Sequence, residues 1–158
     1  MKNRNIILFF AVLFTLLFTA NISAQISGIV HIEDIGDKTF SGDVWAGTKG
    51  ESRRLEGFSL RIEPAISGLS LQYMCHIQGN NDSGWMREGS FCGTRYESKR
   101  LEGIAIRLVG REAKNYNVIY QVHLEDIGDT DVCKNGEFCG TRGQSRRLEA
   151  LRVTIVRR

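Results

Sequence analysis

Apolar and polar side chains alternate through the second half of the chain, where Val118, Tyr120, Val122 and Leu124 interleave with Ile119, Gln121, His123 and Glu125. A period of two predicts a strand with one buried face. The same period runs through Phe58, Leu60 and Ile62, through Ile104, Ile106 and Leu108, and through Leu151, Val153 and Ile155. Between such long stretches lie short ones broken by glycine, of which Lys134-Asn135-Gly136-Glu137 is a strong hairpin signal. The predicted order is therefore long, short, short, long strand, and no helix longer than a turn is expected.

That order occurs three times. The segments HIEDIGDKTFSGDVWAGTKGESRRLEGFSLRIE, HIQGNNDSGWMREGSFCGTRYESKRLEGIAIRLV and HLEDIGDTDVCKNGEFCGTRGQSRRLEALRVTIV begin at His31, His76 and His123. They share an Asp (Asp37, Asp82, Asp129), a Gly-Thr pair (Gly47, Gly93, Gly140) and an Arg-Leu-Glu triplet (Arg54, Arg100, Arg147). Repeats are sought first because missing them miscalls a fold. One such unit cannot bury its apolar face alone, so three should close around a pseudo-threefold axis, which also removes open sheet edges. The expectation is a single all-β domain, residues 25–158, with repeats at about 26–64, 69–110 and 117–158. A β-trefoil is the favoured closure and a β-prism of three small sheets the alternative. The terminal strands, near Ile26 and Ile155, are placed to pair and close the ring, and Pro64 falls in the linker after the first repeat.

The start of the chain breaks the pattern. Lys2 and Arg4 precede an apolar run from Ile6 to Ala20 and a small-residue end at Ser23-Ala24. This reads as a signal peptide, residues 1–24, because the run is shorter than the roughly 20 apolar residues of a spanning helix. Export would make the mature chain secreted, periplasmic or associated with the cell surface, with no membrane span left. Losing two cations lowers the formal charge from +3 to +1. Basic and acidic residues alternate rather than forming a tract, which argues against a nucleic-acid partner.

All four cysteines, Cys75, Cys92, Cys133 and Cys139, fall in the exported part, so two disulfides are expected. Three pairings are open. Cys75 with Cys92 and Cys133 with Cys139 is favoured because each pair stays inside one repeat. A zinc site is the weaker reading, since no C-x-x-C pair occurs.

The pattern His-x-x-x-x-Gly, a second Gly, then Gly-Thr-x-Gly-x-Ser-x-Arg-Leu-Glu-Ala resembles the clostridial hydrophobic W repeat, and HLEDIGDTDVCKNGEFCGTRGQSRRLEALRV is the nearest copy. The resemblance covers all three repeats. It implies an exported or surface-attached protein with a role in adhesion or in binding extracellular polymers. Where that family carries its naming Trp, this chain has Asp37, Asp82 and Asp129, and Trp85 alone keeps an aromatic at the second Trp position. A position that takes Trp in relatives and Asp here is expected at the surface, because an unpaired carboxylate is costly to bury.

His31, His76 and His123 invite a threefold metal site, but each lies on the face opposite the main apolar set. They read as structural, bonded within their own repeats, with the triplet glutamates Glu56, Glu102 and Glu149 as candidate partners; no metal and no cofactor are expected. The Arg-Glu pairs, Arg54 with Glu56 and their equivalents, share a face with Phe58, Leu60 and Ile62 and read as structural bridges, since an active site is needed once and a bridge in every copy. The Gly-Thr elements followed by Lys49, Arg95 or Arg142 lack the spacing and helix of a phosphate loop and read as tight turns. No catalytic residue stands out, so the chain is read as a non-enzymatic module. For binding, Asp37, Asp82 and Asp129 with Arg53, Lys99 and Arg146 offer three equivalent polar sites, and Trp45 or Trp85 a surface for stacking. Carboxylates and guanidinium groups for hydroxyls plus a flat apolar face suit an extracellular glycan or cell-surface polymer. A protein-interaction or structural surface protein is the alternative.

Overall fold

The computed structural model describes residues 23–158, which are all-β apart from one 3₁₀ turn at Ala113–Asn115. All but the last two residues of the expected signal peptide lie outside the described residues. The first repeat supplies β1 (Gln25–Ile32), β2 (Gly36–Ser41), β3 (Ala46–Gly47) and β4 (Leu55–Glu63). The second supplies β5 (Ser70–Ile77), β6 (Met86–Arg87), β7 (Cys92–Gly93) and β8 (Leu101–Val109). The third supplies β9 (Tyr116–Leu124), β10 (Gly128–Asp129), β11 (Cys133–Lys134), β12 (Cys139–Gly140) and β13 (Leu148–Arg157).

In each repeat the two long strands pair with each other, β1 with β4, β5 with β8 and β9 with β13, all antiparallel. The short strand before the Gly-Thr threonine leaves its own repeat. β7 adds to β4, β12 adds to β8, and β3 adds to β13, so every sheet borrows an edge from the next repeat around the ring. The result is three sheets, ordered β2-β1-β4-β7, β6-β5-β8-β12 and β10-β9-β13-β3, with β11 also on β9. Three such sheets, one for each repeat, are the threefold all-β closure expected, trefoil-like or prism-like. Among the described residues no ladder joins long strands of different repeats into one barrel. Nor do the terminal strands pair with each other: the ring is closed by β3 lying along Ala150 and Leu151 of β13.

The alternating side chains face the common axis. Phe58, Leu60, Ile104, Ile106, Val118, Tyr120, Val122, Leu151 and Val153 are all buried in one apolar cluster. Each contributes about 1.5–3 kcal/mol relative to exposure.

The period of two fails at one place in every repeat. His31 faces Gly57 while Ile32 faces Leu55, leaving Glu56 as the extra residue of a bulge, and Glu102 and Glu149 are skipped in the same way. A bulge re-aims the side chain it carries. Both Leu55 and Phe58 thereby reach the core, and Glu56 does not share the face of Phe58 as the plain alternation implied.

The Gly-Thr pair is a docking strand and not a tight turn. Thr48, Thr94 and Thr141 donate their backbone N–H to the carbonyls of Glu149, Glu56 and Glu102 at 3.0, 2.8 and 2.8 Å. A Cβ on Gly93 would sit 2.2 Å from the Glu56 carbonyl oxygen, with φ at 118°, so glycine alone permits the approach. The Asn135-Gly136 turn forms, with both residues at positive φ and the Glu137 N–H on the Lys134 carbonyl at 3.0 Å. Its flanking strands then diverge to different sheets.

Both disulfides are those within a repeat, Cys75–Cys92 and Cys133–Cys139. Because the docking strands are exchanged, each one also joins two sheets.

Candidate functional site

The hairpin after each first long strand sets His opposite Asp. His31 pairs with Asp37 across β1 and β2, His123 with Asp129 across β9 and β10, and His76 with Asp82 through an isolated bridge. The Nδ1 to Oδ1 distances are 2.6, 2.6 and 2.7 Å. Histidine therefore takes aspartate, and not the triplet glutamate, as its partner.

The other side of each carboxylate is taken by the next repeat. Arg95 donates to both oxygens of Asp37 at 3.1–3.2 Å, Arg142 to both oxygens of Asp82 at 2.8–3.1 Å, and Lys49 to Asp129 at 2.8 Å. Each cation lies over an aromatic ring four residues upstream: Arg95 over Phe91 and Arg142 over Phe138 at 3.4 Å, and Lys49 over Trp45 at 4.2 Å. The rings of Phe91 and Phe138 cover Gly57 and Gly103, where a Cβ would come within 2.3 and 2.2 Å of a ring carbon. A His-Asp-cation clasp thus stands at each of the three repeat junctions.

The carboxylates sit at the surface, as the Trp-to-Asp exchange suggested, with side chains 36–42% exposed. The Arg95 guanidinium beside Asp37 holds that carboxyl below its ordinary value, helped by His31, and Arg142 with His76 does the same for Asp82. At Asp129 partial burial pushes the carboxyl up, but Lys49 and His123 together leave it below its ordinary value.

Arg53, Lys99 and Arg146 do not meet these aspartates. Arg53 bonds Asp34 at 3.2 Å, Lys99 bonds Glu97 at 3.0 Å, and Arg146 bonds Asp126. Trp45 joins the third clasp, 6.5 Å edge-on from His123. Trp85 stands apart under Arg107, which lies 4.0 Å over its ring and is itself tied to Gln72. Glu56, Glu102 and Glu149 are buried and bridged by Arg54, Arg100 and Arg147 at 2.9–3.0 Å. Among the described residues no three His, Cys, Asp or Glu side chains gather as a metal cluster.

The partners that a reading along the chain missed are Lys49, Arg95 and Arg142. Their signal was a basic residue after every Gly-Thr pair. Its role depends on an exchanged strand, and nothing local announces that exchange. Together the clasps present fixed acceptors and donors at three related places.

The junctions are not identical. At the first, Tyr96 stands where the others have Gly50 and Gly143, and its ring is edge-on to His31 with centroids 4.5 Å apart. His31 is consequently 2% exposed, against 14% and 18% for His76 and His123. A cleft of about 380 Å³ opens here, lined among others by Glu33, Asp34, Arg54, Glu56 and Tyr96.

The model of the family described as Clostridial hydrophobic W matches residues 31–64, 76–110 and 123–157, one match per repeat. No curated protein and no solved structure matches the chain.

Proposed function

The chain belongs to the Clostridial hydrophobic W family, and on that premise we propose that it is an exported, non-enzymatic module that binds extracellular carbohydrate at its repeat junctions. The observation that carries this reading is the clasp. A half-exposed aspartate, held ionised, lies beside a guanidinium or ammonium group that itself sits over an aromatic ring, in the same arrangement three times. Polyols are recognised by such fixed donors and acceptors in shallow clefts. Repetition of the clasp favours binding over catalysis, and two disulfides fit an oxidising compartment outside the cytosol. Exposed Ile127 and Val132 favour a second reading, a protein-interaction scaffold.

The test is a broad glycan and polysaccharide array probed with the exported, disulfide-intact protein and with an Asp37→Ala, Asp82→Ala, Asp129→Ala triple variant. Binding by the parent, at least tenfold weaker in a triple variant that keeps both disulfides and its cooperative unfolding, supports the reading. A parent that binds no glycan overturns it.

A further inference from the structure

Carbohydrate recognition, if placed at the junctions, need not be shared equally among them. We infer that the first junction alone holds a complete sugar site, that Tyr96 is its stacking platform, and that its ligand is a neutral or amino-bearing sugar and not an anionic one. This rests on the carbohydrate reading above.

Three independent features single out this junction. The first is the backbone at Tyr96. Its φ is 60°, in the left-handed region, where Gly50 and Gly143 stand at 72° and 66° in the other repeats. A bulky residue there is a genuine outlier, and strained positions of this kind collect at ligand sites. A tyrosine held in that conformation is 82% exposed, so folding gains little from the apolar area of the ring. Glycine would fit the same turn without strain, as its two counterparts do.

The second feature is the cleft beneath the ring. Tyr96 and Ser98 come from the second repeat, and His31, Ile35, Arg54 and Glu56 from the first. An aromatic rim over polar walls is the composition that places a sugar ring, with its apolar face on the aromatic and its hydroxyls on the polar groups.

The third is Glu56. Its Oε1 accepts from Arg54 at 3.0 Å, while its Oε2 is buried with no hydrogen-bond partner. At the closing junction the equivalent oxygen of Glu149 accepts the Gly50 N–H at 3.0 Å. The first junction therefore keeps an unsatisfied buried acceptor on a residue that lines the cleft, and such an atom favours a ligand that brings a donor. Glu33, Asp34 and Glu56 line the cleft against Arg54, and with Arg53 on Asp34 the carboxylates still outnumber the cations. Hydroxyl and ammonium donors suit that wall, and a uronate or sulfate is repelled by it. The second junction lacks this wall, since Gln78 and Gly79 replace Glu33 and Asp34.

The experiment is calorimetric titration of the exported, disulfide-intact protein and its Tyr96→Gly and Tyr96→Phe variants with cellohexaose, a glucosamine hexamer and oligogalacturonate, alongside the array above. The expected result is one bound oligosaccharide per chain for a neutral or amino probe. Affinity should be at least tenfold weaker in Tyr96→Gly, stay within threefold in Tyr96→Phe, and be weakest for oligogalacturonate. Tyr96→Gly should unfold at no lower temperature than the parent, which separates a lost platform from a lost fold. Three equivalents bound, or binding unchanged in Tyr96→Gly, overturns the inference while leaving carbohydrate recognition standing. Preference for oligogalacturonate overturns the ligand class. Absence of binding to every array glycan overturns the inference together with the reading it rests on.

Discussion

The junction between the first and second repeats and the junction that closes the ring between the third and first are built on the same strand exchange but held by different forces. At the former, Cys92 on the docking strand is bonded to Cys75, and the Tyr73 hydroxyl accepts the Leu60 N–H at 3.2 Å and donates to the Ser90 carbonyl. The junction between the second and third repeats repeats the plan, with Cys139 bonded to Cys133 and Tyr120 donating to the Glu137 carbonyl. At the closing junction the docking strand carries Ala46 where the others carry cysteine, and Gly28 stands where they have tyrosine. Beyond the clasp that all three share, its distinctive contact is an ion pair, Arg152 with both oxygens of Asp43 at 2.6 and 2.7 Å. Three copies of one motif therefore do not make three equal interfaces. The interface that closes the ring has neither disulfide nor tyrosine, and the ion pair that it adds is one that salt can screen.

The largest effect should come from exchanging the covalent element. Cys75→Val with Cys92→Ala gives the second repeat the residues of the first, Val30 and Ala46, and releases a cross-link over a separation of 17 residues. Loop-closure entropy puts the loss near 3 kcal/mol. The shorter Cys133–Cys139 link, over six residues, should cost about 2 kcal/mol on removal. Conversely, Val30→Cys with Ala46→Cys should staple the closing junction and raise the urea midpoint. A closing junction that gains nothing from its staple, with the bond formed, would show that the covalent asymmetry has no energetic counterpart.

A smaller effect is expected from the tyrosines. Burial pushes the Tyr73 and Tyr120 phenols above their ordinary value, which keeps both hydroxyls protonated and able to donate. Tyr73→Phe leaves the Leu60 N–H without its side-chain acceptor inside the protein, at a cost of about 1–2 kcal/mol. Denaturant unfolding of Tyr73→Phe and Tyr120→Phe should give similar losses. No loss in either would mean that apolar packing of the ring alone accounts for the contact.

Much of this architecture was legible along the chain, and the boundary is instructive. Period-two stretches located the long strands because one face of each is buried, and the repeated triplet located Glu56, Glu102 and Glu149. The bulge was not legible, since skipping one residue leaves both flanks periodic and shows only in the pairing of His31 with Gly57 and Ile32 with Leu55. The strand exchange was hidden for a stronger reason. A two-residue strand such as Ala46–Gly47 has no period, and whether it pairs within its repeat or with the next is decided by tertiary closure. That single ambiguity explains why Arg53, Lys99 and Arg146 were set beside the aspartates by sequence proximity, when the partners are Lys49, Arg95 and Arg142 from the neighbouring repeat. Tyr96 occupies an otherwise glycine position, a departure that the shared pattern passed over. Its meaning needed the fold, which sets it against His31.

Acid should separate the junctions by the smallest but most specific margin. Asp43 is held below its ordinary value of 3.8 by Arg152, and Asp129 lies below it too, against burial, through Lys49 and His123. Asp37 and Asp82 are lowered in the same direction, one at each of the other junctions. A carboxyl whose folded value is depressed contributes fully above its unfolded value and loses that contribution as pH falls through the folded one. The closing junction thus has two such groups and no staple, while each of the others has one group and a disulfide. For a half-exposed pair such as Asp129 with Lys49 the stake is on the order of 0.2–1 kcal/mol. The amides of Thr48, Thr94 and Thr141 report the three junctions directly, since each bonds a neighbouring glutamate carbonyl. As pH is lowered from 7 to below 3.8, hydrogen-exchange protection at Thr48 should fall before that at Thr94 and Thr141. High salt at pH 7 should move Thr48 in the same direction. Equal loss at all three amides would place the acid sensitivity in global unfolding, and the closing junction would then be no weaker than its stapled counterparts.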